Sequence, residues 1–79
     1  MDQIEKFIRK LNKKMALRIL DALENVVELR LESMDVEKMK GHKNLYRVRL
    51  GQIRIVFQKE QGSGVPVYIE YRGGVYKGL

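Results

Sequence analysis

MKGHKNLYRVRLGQIRIVF, residues 39–57, decides how this chain folds. From Asn44 onward the apolar side chains recur at every second position. Tyr46, Val48 and Leu50 alternate with Leu45, Arg47 and Arg49, and Ile53, Ile55 and Phe57 alternate with Arg54, Val56 and Gln58. A period of two marks a strand with one buried face, because successive strand side chains point to opposite sides. Gly51-Gln52 joins the two runs as a tight two-residue connection. The stretch is therefore a β-hairpin. Alternation also places Arg47 and Arg49 on one strand face, which is costly unless an anion sits there. Phosphate suits the guanidinium fork best.

Downstream, Gln61-Gly62-Ser63-Gly64 reads as the next turn and residues 65–71 as a third strand, with Pro66 close enough to its start to be tolerated. Upstream the period changes. Ile4, Phe7, Ile8 and Leu11 follow the i, i+3, i+4, i+7 spacing of an amphipathic helix starting near Asp2. After a break at residues 12–14, Met15, Ile19, Leu23 and Val26 continue at helical spacing. Ala16, Leu20 and Val27 widen the stripe, and this second helix is expected to reach about Leu31. Residues 33–40 (SMDVEKMK) are expected to form a short helical turn with Ser33 as its cap. The fold class is α+β in two layers: an N-terminal αα-hairpin packed on one face of a three-stranded antiparallel sheet, with the arginine face open to solvent. Met15, Ile19, Leu23, Ile55, Phe57 and Ile69 are the expected core.

Composition narrows the function classes. The 79 residues suit one small domain, 1–79, near the lower limit for a self-sufficient hydrophobic core. With no cysteine there is no disulfide or thiolate–zinc site, and with His42 as the lone histidine neither a metal site nor a cofactor is expected. No apolar run is long enough to span a membrane and no signal peptide precedes the first helix, so a cytoplasmic, soluble protein is expected. The net charge is +6, unevenly spread. Residues 1–40 hold nine Lys/Arg against eight Asp/Glu, a net of +1, and residues 41–79 hold seven against two, a net of +5. The strands therefore carry the field, which suits RNA, DNA or an acidic protein.

At these residues the chain resembles the RelE/ParE toxins of bacterial and archaeal toxin–antitoxin modules. The resemblance lies in residues 38–57, with their Leu45-Tyr46-Arg47-Val48-Arg49-Leu50-Gly51 and Arg54-Ile55-Val56-Phe57 runs. It continues in Tyr71-Arg72-Gly73-Gly74-Val75-Tyr76-Lys77, and LNKKMALRILDALENV stands where the family has its helical hairpin. Family members usually open with a strand before the first helix, and that strand is expected to be missing here. Its absence would expose a sheet edge to a partner or to a second copy of the chain.

The resemblance implies a ribosome-dependent endoribonuclease that cuts mRNA without a metal. A ribose 2′-OH attacks the adjacent phosphate, giving a 2′,3′-cyclic phosphate and a 5′-OH. It assigns Arg54, Arg72 and Tyr76 to the catalytic site, the arginines to phosphate and Tyr76 to a base. Arg47 and Arg49 become RNA-facing cations. The residues support part of this directly, since several guanidiniums can offset developing negative charge and a phenol can donate a proton or offer a π-face. Lys40 and Lys43, with Lys38, read as RNA-backbone contacts. Arginine does not readily give up a proton, so the general base must be sought elsewhere. Glu70 is the carboxylate that alternation places on the face of Arg72.

Blander readings stand beside these. Arg54 and Arg72 could pair with an acidic antitoxin segment, Arg47 and Arg49 could line a solvated strand surface, and Tyr76 could pack. His42 reads as a solvated turn residue. The implied partners are a cognate acidic, RelB-like antitoxin, the ribosome and mRNA. Two alternatives remain open: a ParE-like inhibitor of DNA gyrase, and a degenerate toxin that only binds antitoxin.

Overall fold

The computed structural model describes residues 2–71. Helix α1 spans Gln3–Arg9 and α2 spans Lys13–Val27. Each starts where a side chain meets an orphan amide. The Asp2 carboxylate accepts from the Glu5 N–H at 2.9 Å, and the Asn12 amide oxygen from the Met15 N–H at 2.8 Å. Helix α2 stops at Val27 rather than near Leu31, because Leu29 takes a left-handed conformation (φ 55°) that breaks the helical ladder.

Four strands follow: β1 (Asp35–Lys38), β2 (Leu45–Leu50), β3 (Ile53–Glu60) and β4 (Ser63–Tyr71). They form one antiparallel sheet in the order β1-β2-β3-β4. The expected hairpin at Gly51-Gln52 is present, with Gly51 at φ 61°. The next turn is tighter than expected. Strand β4 begins at Ser63, leaving Gln61-Gly62 as the connection with Gly62 at φ 74°.

The short helical turn expected over residues 33–40 is instead β1, so the sheet has four strands among the described residues rather than three. Cross-strand pairing outweighs local propensity here. Val36 sits opposite Val48, while Asp35 and Glu37 sit opposite Arg49 and Arg47.

Both helices cover the sheet on the side of β4. Ile19, Ala22 and Val26 of α2 meet Val48, Ile53, Ile55, Phe57 and Ile69 in the core. Of the expected core residues, Met15 and Leu23 are only partly buried. Gly64 lets the end of α2 approach β4 closely. A Cβ there would lie 2.2 Å from the Val26 carbonyl oxygen. At the β4 edge, the Gln3 amide donates to the Ile69 carbonyl at 2.6 Å and accepts from the Ile69 N–H at 3.0 Å. One side chain thus fills the role of a neighbouring strand at that residue. Among the described residues α1 is the first element, preceded by its cap Asp2.

Candidate nucleic-acid interface

Antiparallel register turns the face opposite the helices into transverse rows. Asp35, Arg49, Arg54 and Glu70 lie side by side across all four strands. Glu37, Arg47, Val56 and Tyr68 form the row beside it. Directly opposed residues hold their Cβ atoms about 5 Å apart, so Arg49 and Arg54 can both reach one phosphate-sized anion. Two opposed cations would destabilise the hairpin alone, and the flanking carboxylates offset them.

Those flanks supply anions to the arginine face from within the chain. Arg47 donates from Nε (3.2 Å) and Nη2 (3.1 Å) to one carboxylate oxygen of Glu37. Arg49 donates from Nε (3.1 Å) to Asp35, with Nη2 also at 3.1 Å. Arg54 Nη1 stands 4.0 Å from Glu70, the loosest of the three pairs. Three arginines meet three carboxylates, so these six groups sum to zero. Two of the acids come from residues read as helical, which is why the sequence pattern did not show them on this face.

Arg54 differs from its neighbours. Its side chain is 22% exposed, against 28% for Arg47 and 44% for Arg49. Its Nε is buried and has no hydrogen-bond partner among the described residues. An unmet buried donor on a cation is costly, and an anionic oxygen is the group that would relieve it.

No family model matches the sequence, and the search of curated proteins finds no significant match. Among solved structures, a chain of the RelB–RelE antitoxin–toxin complex from Methanococcus jannaschii shares the fold. The TM-score is 0.70 at 23% identity, covering 96% of this chain and 92% of that one. The fold is RelE-like.

Within this RelE-like sheet, Arg47, Arg49 and Arg54 come together on one face, and Glu70 joins them opposite Arg54. Lys40 and Lys43 do not join the Arg49–Arg54 row. They lie in the exposed β1–β2 connection, beyond the ends of both strands. His42 is exposed in the same connection. Arg72 and Tyr76 lie outside the described residues. No helix among the described residues is long and apolar enough to cross a membrane.

Tyr68 is 37% exposed on the arginine face, in the row of Arg47 and next to that of Arg54. It sets an aromatic ring beside the guanidiniums, on the sheet face opposite the helices. Counting back by two from Glu70 would have placed it there. Val56, between Tyr68 and Arg47 in register, is 1% exposed although the helices lie on the other side.

Proposed function

We propose that this chain is the toxin of a type II toxin–antitoxin pair, a cytoplasmic endoribonuclease that cuts mRNA on the ribosome and is restrained by an acidic, RelB-like antitoxin. The observation that carries this is the opposed Arg49–Arg54 pair on the face of a RelE-like sheet opposite the helices. Arg54 and Arg49 bind the scissile phosphate and offset charge on the phosphorane. Glu70, opposite Arg54, takes the 2′-OH proton as the O2′–P bond forms. The P–O5′ bond breaks, and Tyr76 supplies the proton to the leaving oxygen. Arg72 adds a further guanidinium at the phosphate, as the family resemblance implies. Tyr68 and Arg47 hold the flanking nucleotide by stacking and charge.

The test is cleavage of mRNA on translating ribosomes by purified protein, mapped by primer extension. Wild type should cut, Arg54→Ala should lose at least about 100-fold in rate, comparable to removing one oxyanion donor, and the cognate antitoxin should abolish cutting. Intact mRNA with wild-type protein at any concentration sinks the nuclease assignment.

A second reading is favoured by the ion pairs themselves. A face whose arginines already hold carboxylates suits a toxin relative that binds antitoxin without cutting. Expression without antitoxin separates the two, since only the nuclease arrests growth and degrades mRNA. Trapped, cleaved DNA in a gyrase supercoiling assay would instead support the ParE-like alternative.

A further inference from the structure

With RNA on the arginine face, as proposed above, we infer that β1 is a built-in competitor for that site. Asp35 and Glu37 occupy Arg49 and Arg47 in the free protein and are displaced when a phosphodiester backbone binds. The pairing geometry supports this. Glu37 engages both Nε and Nη2 of Arg47, and Asp35 lies within 3.1 Å of the same two nitrogens of Arg49. That edge of the guanidinium is one of those that grip phosphate through two parallel N–H groups. Carboxylate and phosphate therefore cannot share it.

Exchange is easy. The Asp35 and Glu37 side chains are 59% and 58% exposed, so each acid returns to water at small cost on leaving its arginine. Strand β1 is only four residues long and is an edge strand. Its sequence DVEK sets one apolar anchor, Val36, between the two acids. The acids lower RNA affinity and reduce the net number of phosphates the face neutralises. They act through the arginines and touch no RNA themselves.

Binding of a fluorescently labelled, single-stranded oligouridylate, followed by anisotropy across a potassium chloride series, tests the inference. Asp35→Asn and Glu37→Gln keep side-chain shape and remove charge. Each should tighten binding about two- to fivefold at low salt, and steepen the slope of log affinity on log salt by about 0.7. In an Arg47→Gln background, Glu37→Gln should change nothing, because the acid acts through that guanidinium. Unchanged affinity in Glu37→Gln overturns the proposal. So does tightening that persists in the Arg47→Gln background, which would mark a bulk-charge effect. Should a variant at one pair fail to fold, Asp35→Asn with and without Arg49→Gln carries the same test at the other. The RNA assignment fails separately, if Arg47→Gln and Arg49→Gln together leave wild-type affinity intact.

Discussion

Gly64→Ala is the sharpest probe of how the helical layer is seated on the sheet. The added Cβ would sit 2.2 Å from the Val26 carbonyl oxygen, 3.1 Å from its carbon and 3.2 Å from a Val26 side-chain carbon. The nearest atom is backbone, so no rotamer change relieves the clash. Restoring ordinary contact needs the end of α2 to retreat by about 1 Å, and a radial gap of that size forfeits up to about half the dispersion well of each affected contact. Val26 and Ile19 are fully buried on the same helix, so both lose packing against Ile55, Phe57 and Ile69. The expected cost is about 2–4 kcal/mol, at or above the usual overpacking range. For a domain of this size that lowers Tm by roughly 10–25 °C. Gly62→Ala is the control. It meets nothing within 4 Å, and its φ of 74° costs an L-residue only about 1–2 kcal/mol. Urea unfolding of the three proteins, with m compared as well as midpoint, gives the answer. If Gly64→Ala falls within about 0.5 kcal/mol of wild type, α2 does not press on β4 as described.

Two further outcomes are expected at the sheet. Gln3→Ala removes both bonds to the Ile69 backbone and should cost about 1–2 kcal/mol in thermal or urea unfolding. It should also promote concentration-dependent self-association in sedimentation velocity, since the edge of β4 loses its side-chain cover. Tyr68→Ala should weaken binding of single-stranded RNA by about 1–3 kcal/mol with little change in salt slope, because stacking rather than charge is removed. Tyr68→Phe should bind like wild type.

The legible parts of this protein were those with a sustained period. Seven residues of α1, fifteen of α2 and the hairpin of β2 and β3 repeat their apolar positions often enough for the pattern to be read. Strand β1 is four residues with a single inward apolar side chain, too short to show a period, and its flanking Ser and Lys suit a helical turn as well. Its identity is fixed by what it pairs with, which only the folded sheet supplies. The candidate site divides the same way. Alternation alone places Arg47, Arg49 and Arg54, and it reaches Tyr68 as well, whereas the partners of Arg47 and Arg49 come from a strand too short to show it.

That division changes what the charge of this chain means. The net of +5 over residues 41–79 is a sum along the sequence, and an electrostatic surface is a sum over space. By adding β1 to the edge of β2, the fold carries two acids of the nearly neutral N-terminal half onto the cations of the basic half. A partner drawn by bulk charge alone then finds little on this face, where the three described arginines and three carboxylates balance. A partner that presents anionic oxygens to the arginines exchanges one set of charge-assisted bonds for another, and gains where it also meets the Arg54 Nε. Neutralising the face from within therefore lowers its affinity for any anion that must displace Asp35 or Glu37, while the buried Arg54 Nε remains a donor still to be met.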